Sequence, residues 1–379
     1  MTKAEPQVIE LAAPVLGEAE KRALAEVIDD RWLTMGDRVR RFEQAFAELH
    51  GVDEAVAVSS GTAALQLCLA AFDVGPGAEV LVPSMSFVAT ASVVVHAGAT
   101  PVFVDVEGPD RPHMSIEDAR RRITGRTRAI MIMHYGGYEM DVAAWRALAG
   151  EHGLLLFEDA AHAAGLAGPG ATSDAAAFSF FTNKNMTTAE GGMVVIGDPE
   201  RRQRARLLRS HGMTANTLDR TRGRAVGYDV VACGHNFRMD ELRGALGLVQ
   251  VERLPGWNRT RRELADRYRA ELGREVPEVV VPFAPGHRTA AHIMPVLLPD
   301  GCDRPRVMAE MRAAGVQTSV HFPAIHQFEY YRRAHGAVSL PNTERFSARQ
   351  LTLPLHPALE PGDVERVVSA LREAIRAAR

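Results

Sequence analysis

The sequence is poor in cysteine and has no excess of either charge. Only three of its 379 residues are cysteines, Cys68, Cys233 and Cys302, and they form no CxxC pair. This argues against a disulfide scaffold and against a zinc ribbon, and it suits a reducing compartment. The 44 basic and 47 acidic residues give a formal net charge of −3, so the basic surplus of a general nucleic-acid binder is missing.

Long apolar runs are missing too. The most apolar stretch, 87–106, is interrupted by His96, Gly98, Pro101 and Asp105, well short of the roughly 18 apolar residues that a membrane helix needs. The start of the sequence lacks a basic end followed by an apolar run, so no secretory signal is expected. The histidines and cysteines show no metal-ligand spacing. We therefore expect a cytoplasmic protein with no metal and with neither membrane nor nucleic acid as a partner.

Short apolar runs alternate with helical patterns through the first two-thirds of the sequence. Several runs are apolar at consecutive positions, as expected of strands that are covered on both faces. Strand, helix and strand at this spacing predict right-handed crossovers and a mostly parallel sheet. The predicted strands are 55–60, 79–83, 100–106, 128–133, 153–159, 175–180 and 192–197.

The pattern changes after about residue 197. Two helices, near 237–253 and 256–272, lead into a strand (HIMPVLL), a helix, a second strand (VQTSVHF) and a terminal helix. The sequence therefore predicts an α/β fold in which helices sandwich a mostly parallel central sheet. Residues 1–253 form the predicted large domain with an N-terminal helical arm, and residues 254–379 form a smaller C-terminal α+β domain.

Ligands of parallel sheets bind at the carboxyl ends of the strands, where three motifs of this sequence occur. In SSGT (59–62) a strand runs directly into a helix, so backbone amides, Gly61 and the Thr62 hydroxyl form a site suited to phosphate. The alternative is that these residues only cap the helix and bind no ligand. In the second motif Asp159 ends an apolar strand and His162 follows. A buried carboxylate is costly without a cationic partner such as a protonated ring nitrogen, although a capping aspartate and a packed histidine are the alternative.

The third motif is Lys184, which follows an apolar strand and precedes a polar turn and a glycine pair. A lysine in a desolvated pocket loses its charge more easily and condenses with aldehydes, whereas an ordinary loop lysine stays solvated. A phosphate site, a strand-end aspartate and a strand-end lysine together are what pyridoxal 5′-phosphate (PLP) requires.

The sequence resembles the DegT/DnrJ/EryC1/StrS family of sugar aminotransferases, which have the type I fold of PLP-dependent transferases. The resemblance extends over almost the whole chain, in the family's order, through RWLTMGDRVRRFEQAFAELHG, VAVSSGTAALQLCLAA, VLVPSMSFVATASVVVHAGATPVFVDV, FEDAAHAAG, FSFFTNKNMTTAEGGMVV, GHNFRMDELRGALGLVQVERL, VHFPAIH and LPLHPAL. It implies that Lys184 holds PLP covalently as a Schiff base and moves protons, with pyridoxamine phosphate (PMP) as the intermediate cofactor form. It also implies that Asp159 pairs with the pyridinium nitrogen and that His162 and Phe87 flank the ring.

The resemblance further assigns the phosphate cradle to Gly61, Thr62 and Ser179. It implies that Asn236 reaches the phosphate of the neighbouring subunit, in a homodimer with shared active sites. The substrate contacts that it implies are Trp32, Thr34 and His321.

Several of these residues have structural alternatives. Trp32 also fits a packing anchor, and His321 and His326 also fit structural roles. The arginine clusters 201–209 and 220–224 fit either a nucleotide diphosphate or a solvated helix face. The loop 164–173 is shorter than is usual in the family, and Phe237 replaces its common aromatic residue, so substrate access is expected to differ.

Sugar dehydratases of the family have histidine where this sequence has Lys184, which favours transamination. We expect transfer of an amino group from glutamate or glutamine to a nucleotide-linked keto-sugar or a keto-cyclitol, in secondary-metabolite or surface-sugar biosynthesis. A PLP-dependent dehydratase, epimerase or oxidase and a non-catalytic PLP-binding regulatory protein remain alternatives. A nicotinamide-dependent Rossmann enzyme is disfavoured, because no GxGxxG follows the first strand.

Overall fold

The computed structural model describes residues 8–215, 221, 223 and 225–379. Its strands are β1 Ala55–Val58, β2 Glu79–Pro83, β3 Thr100–Val104, β4 Val106–Gly108, β5 Arg111–Met114, β6 Thr127–Met133, β7 Leu155–Asp159, β8 Ala175–Ser179, β9 Gly192–Ile196, β10 Met294–Leu297 and β11 Gln350–Leu353. Seven of them form one sheet in the order β1-β9-β8-β7-β6-β2-β3. Strand β9 is antiparallel to β1 and β8, and the other pairs are parallel. The predicted mostly parallel central sheet is therefore confirmed.

Helices cover the sheet and connect its strands. They are α1 Glu18–Asp30, α2 Asp37–His50, α3 Gly61–Ala71, α4 Ala89–His96, α5 Ile116–Arg122, α6 Val142–His152, α7 Pro199–Arg209, α8 Glu241–Glu275, α9 Arg304–Ala313, α10 Glu329–His335, α11 Pro341–Arg349 and α12 Pro361–Ala377. Capping side chains fix several helix starts: Ser60 accepts a bond from the first turn of α3, and Asp141 does the same for α6. The apolar sequence that follows each cap then packs on the sheet.

Strand β1 shows why the predicted strands are apolar at consecutive positions. Val56 and Val58 pack in one core cluster with α3, whereas Ala55 and Ala57 pack in another with Phe42 of α2. Every residue of β1 is buried, as are all those of β2, β8 and β9. Both faces of the sheet are therefore covered, as the sequence predicts.

A separate hydrophobic cluster lies in the C-terminal part of the chain. It combines the second half of α8 with α9 and α12, and with the antiparallel pair β10–β11. This arrangement is consistent with a smaller α+β unit, and its predicted boundary at residue 254 stays a prediction.

The structure corrects three predicted elements, two helices and one strand. The two helices expected at 237–253 and 256–272 are one continuous helix, α8, with Pro255 inside it. Proline removes one backbone donor, but Leu254 and Asn258 beside it are buried, so tertiary packing outweighs the local break. The strand expected at VQTSVHF is absent: within 316–322, a segment that the structure describes throughout, only isolated bridges from Val316 and Ser319 occur. The sequence also gave no indication of the β4–β5 hairpin.

In the part of the chain that the structure describes, no helix is both long and apolar enough to span a bilayer. Within the same part, no group of three or more His, Cys, Asp or Glu side chains is arranged to hold a metal ion.

Candidate active site

A cavity of about 310 Å³ opens at the carboxyl ends of β7 and β8, next to the start of α3. It is lined by Ser60, Gly61, Thr62, Leu65, Phe87, Ala89, Met133, Asp159, Ala161, His162, Ser179, Phe181, Asn183, Lys184, Glu190, His321 and Phe322. A larger groove of about 580 Å³ lies along α1, α2 and α8, but the motif residues lie in the smaller cavity. The three strand-end motifs therefore meet in one place, as a parallel sheet predicts.

The start of α3 forms a narrow cradle against β8. A Cβ atom on Gly61 would lie 2.7 Å from Ser179 Cβ and 3.0 Å from its Oγ, so only glycine allows the two segments to be this close. Ser60 caps the helix by accepting a bond from the Ala63 amide at 3.1 Å. Free amides at a helix start carry partial positive charge, and Thr62 adds a hydroxyl at the cavity wall. This corner suits a phosphate group.

Asp159 lies at the bottom of the cavity and is 2% exposed. Thr90 Oγ1 donates to its Oδ2 at 2.7 Å, and the Ala161 amide donates to its Oδ1 at 3.1 Å. Burial still raises the pKa of this carboxyl, with the two hydrogen bonds and the Lys184 charge opposing the rise. A cationic group of a ligand beside Asp159 would therefore stabilise the ionised carboxylate.

Lys184 lies in the loop after β8, where its backbone amide donates to the Phe181 carbonyl at 2.9 Å. Lys184 lines the cavity and is partly exposed as a residue, but protein atoms surround its amine. This burial lowers the pKa of Lys184 to about 8, and the Asp159 charge opposes the shift. The amine is therefore neutral more often than that of a solvated lysine, as a base or nucleophile must be.

Aromatic rings form another wall of the cavity. The rings of His162 and Phe322 lie 5.7 Å apart, and those of Phe322 and Phe87 lie 6.1 Å apart. Phe87 is 56% exposed, so its face is free for contact with a ligand. Burial lowers the pKa of His162 well below its usual range, so the ring is neutral. A flat aromatic ligand can pack against this wall.

The residues present fit PLP. The cofactor has a phosphate, a flat ring with a basic nitrogen, and an aldehyde, and the cavity offers a group suited to each part. The cradle at Gly61 and Ser179 suits the phosphate, the carboxylate of Asp159 suits the ring nitrogen, and the amine of Lys184 suits the aldehyde. In addition, Asn183 Oδ1 at this site is buried without a hydrogen-bond partner among the described residues.

Of the three predicted substrate contacts, only His321 lines the cavity. Its Nδ1 lies 2.9 Å from Thr352 Oγ1, and burial lowers its pKa to about 4. Trp32 packs at the start of α2, where its Nε1 would lie 2.7 Å from a Cβ atom on Gly36. Trp32 and Thr34 are not among the described residues that line the cavity, so their predicted substrate contacts stay predictions.

Asn236 is exposed and does not line the cavity within the described part of the chain. It bridges to Ser210, and the backbone of the next residue, Phe237, accepts a bond from the Ser59 amide at 2.9 Å. This segment therefore lies beside the loop that leads into the cradle, with the Asn236 side chain left accessible.

The arginines of α7 bind acidic residues of the same chain rather than the cavity. Arg201 and Arg204 pair with Asp73, and Arg206 pairs with Glu54. The arginines of the cluster 220–224 lie outside the described residues. His326 is 4% exposed, and its Nδ1 lies 2.7 Å from Ser84 Oγ, which is consistent with a structural role.

Sequence reasoning missed Phe322, Glu190, Asn183 and Phe181 as lining residues. The last three lie within seven positions of Lys184, so a search of that loop would have found them. Phe322 comes from a distant segment, and no local pattern indicates that it reaches the cavity.

Comparison with known proteins places these observations in a family context. The model of the DegT/DnrJ/EryC1/StrS aminotransferase family matches residues 14–372. The aminotransferase TlmJ from Streptoalloteichus hindustanus is 34% identical, covers 98% of this chain and 100% of its own, and has a TM-score of 0.90. DesI, solved in the presence of its TDP-sugar product, is 33% identical over 99% of this chain and 95% of its own, with a TM-score of 0.88. Spr1654 from Streptococcus pneumoniae, solved in PLP and PMP forms, is 26% identical; its PLP form covers 98% of this chain and 100% of its own at a TM-score of 0.90. The predicted fold class and the predicted resemblance are confirmed.

Proposed function

Because the chain belongs to the DegT/DnrJ/EryC1/StrS aminotransferase family and is a PLP-dependent transaminase, we propose that it moves an amino group from glutamate or glutamine to a keto-sugar. A nucleotide-linked sugar is the proposed acceptor, with a keto-cyclitol as the second candidate. The observation that carries the proposal is the meeting of Lys184, Asp159 and the Gly61 cradle in one cavity. The TDP-sugar product of DesI supports a nucleotide-linked acceptor.

Each of these residues has a proposed task. When bound at this site, PLP would supply an electron sink for the bond that is broken at the donor's α-carbon. Lys184 would hold the cofactor through its amine. Once that amine is free and neutral, a state that its low pKa favours, it would take the proton from the donor's α-carbon and deliver it to the cofactor carbon that carried the aldehyde. Asp159 keeps a positive charge on the ring nitrogen, and its burial strengthens that pairing.

The competing activities start from the same site. Dehydration, epimerisation or oxidation of the sugar, or PLP binding without turnover, would use the same cradle and carboxylate. Lys184 favours transamination, because the family's sugar dehydratases have histidine at that position. A biosynthetic role in secondary metabolites or surface sugars follows from an amino-sugar product.

We also propose a homodimer in which Asn236 completes the partner's phosphate cradle. Asn236 is exposed and lies outside the cavity of its own chain, as described above. The neighbouring segment presents four exposed apolar side chains, Val226, Tyr228, Val230 and Val231. Adjacent apolar side chains of this size at a surface are typical of a protein–protein interface.

The two halves of the reaction test the function separately. Glutamate or glutamine added to the holoenzyme should abolish its visible absorbance and release one keto acid per site. A TDP-linked keto-hexose should then restore the absorbance and yield the amino sugar, and a free keto-cyclitol serves as the comparison. The variant Lys184→Ala is the control, and it should lack the covalent cofactor bond.

Loss of absorbance without its recovery by any keto-sugar or cyclitol would refute the proposed acceptor class. Sugar consumed without an amino donor would point to elimination or epimerisation instead.

A further inference from the structure

Asn185, the residue after Lys184, lies at the centre of a buried hydrogen-bond network. Its side-chain amide donates to Asn258 Oδ1 and to the Ala290 carbonyl, both at 2.8 Å. Its Oδ1 lies 2.8 Å from Nδ1 of His292. Asn185, Asn258 and His292 are each at most 5% exposed. The protein itself therefore supplies their hydrogen-bond partners.

This network fixes which nitrogen of His292 carries a hydrogen. A backbone carbonyl only accepts, so Asn185 must turn its NH₂ group toward Ala290 and its oxygen toward His292. That oxygen also only accepts, so Nδ1 of His292 is the donor. Burial lowers the pKa of His292 well below its usual range, so the ring is neutral and its Nε2 has no hydrogen.

His162 is fixed in the opposite tautomer. The amide of Gly136 donates to Nδ1 of His162 at 3.2 Å, so this nitrogen carries no hydrogen. A neutral imidazole then carries its hydrogen on Nε2. His162 lines the cavity, and because its Nδ1 is already bonded to Gly136, Nε2–H is the ring group left for a hydrogen bond to a ligand.

The segment 290–292 connects the two histidines. The Ala290 amide donates to the Gly137 carbonyl at 2.9 Å, and the His292 amide donates to the Gly136 carbonyl at 3.0 Å. A Cβ atom on Gly137 would lie 2.7 Å from the His162 carbonyl oxygen, so no side chain fits between the backbones of Gly137 and His162. The rings of His162 and His292 lie 4.2 Å apart. Asn185 therefore anchors the segment 290–292. That segment is hydrogen-bonded to Gly136 and Gly137, and the Gly136 amide in turn binds the His162 ring.

We propose that Asn185 and His292 are positioning residues that keep His162 as an uncharged Nε2–H donor in the cavity. Such a donor suits an anionic or carbonyl oxygen of the cofactor or of the substrate. Because this donor is uncharged, it offers a hydrogen bond without placing a second positive charge beside Lys184. Asn185 is covalently linked to Lys184, so the same network also fixes the backbone beside the base.

Histidine-labelled ¹⁵N NMR of the apoenzyme and the holoenzyme tests the tautomers directly. At pH 7 we expect the Nε2–H pattern for His162 and the Nδ1–H pattern for His292, assigned with the variants His162→Asn and His292→Asn. A protonated His162, or one with its hydrogen on Nδ1, would overturn the proposal. This readout is independent of the substrate, so it fails or succeeds separately from the proposed function.

Two variants of His292 separate positioning from simple packing. His292→Asn keeps an amide donor near the place of Nδ1, whereas His292→Leu keeps apolar bulk and removes the donor. We expect His292→Leu to lower kcat about tenfold to a hundredfold with little change in KM, and to mix the His162 tautomers. His292→Asn should stay within a few-fold of the wild type. Equal losses in both variants, with His162 unchanged in both spectra, would show a packing role only.

Discussion

Replacing Asp159 with asparagine should lower the pKa of the Lys184 amine in the apoenzyme below its starting value of about 8. Burial is the main cause of that low value, and the Asp159 charge partly opposes it. Removing the charge leaves burial unopposed, so the neutral amine becomes more abundant at every pH near the midpoint. At a pKa of about 8, about 9% of the amine is neutral at pH 7, whereas an ordinary lysine at 10.5 would be about 0.03% neutral.

The sequence makes this titration simple to measure, because it contains only three lysines, Lys3, Lys21 and Lys184. Pulse labelling with acetic anhydride across a pH series, quantified by mass spectrometry, reports the neutral fraction of each amine. Lys21 is exposed on α1, 2.7 Å from Glu18, and serves as the internal reference. A Lys184 midpoint near 10.5 would refute the burial argument. An unchanged midpoint in Asp159→Asn would show that the carboxylate carries no charge beside the lysine.

Three further predictions concern the cradle, the core and the dimer. Gly61→Ala should weaken PLP binding about tenfold or more, because the added Cβ meets Ser179 Cβ at 2.7 Å and overpacking costs about 1–3 kcal/mol. Titration of the apoenzyme measures this, and Gly61→Ala should cost less PLP affinity in a Ser179→Gly background than in the wild type; an equal loss in both backgrounds would contradict the steric cause. Glu158→Ala should destabilise the fold by about 3–5 kcal/mol, because the fully buried carboxylate accepts bonds from His134 at 2.8 Å and from the Gly170 amide at 2.7 Å. Thermal unfolding compares it with Glu26→Ala at an exposed site, and a Tm loss no larger than in that control would refute the pairing. Mixing Asn236→Ala protomers with Lys184→Ala protomers should restore some activity if the sites are shared, whereas verified mixed dimers without activity would disprove sharing.

The central sheet could be predicted because its signals are local. Strand β7 is apolar at consecutive positions up to Phe157, and a strand buried on both faces has this pattern wherever the rest of the chain lies. The order of strand and helix then places Asp159 and Lys184 at the same edge of the sheet. That part of the site needs no knowledge of distant contacts.

The remaining parts of the site depend on contacts between segments that are distant in sequence. Phe322 reaches the cavity only because the C-terminal region packs against the sheet, and no local pattern carries that information. Asn185 resembles any polar loop residue until Asn258 and Ala290 are placed beside it. The helix break predicted at Pro255 is wrong for the same reason, because packing of the buried residues around Pro255 outweighs the local preference of proline for a break.

The position of β1 has a consequence for how the protein is made in the cell. This strand is the first of the sheet to leave the ribosome, yet among the strands that the structure describes it pairs with β9 alone, which begins at residue 192. At about 5–20 residues per second, residues 58 to 192 take roughly 7 to 27 s to synthesise, and during that time β1 has no strand to pair with. Gly61 is likewise synthesised long before Ser179, so the phosphate cradle cannot form until the chain has been made as far as β8. A nascent chain with an unpaired apolar strand is a target for chaperones, and slower growth at low temperature with extra chaperone should raise the yield of folded protein.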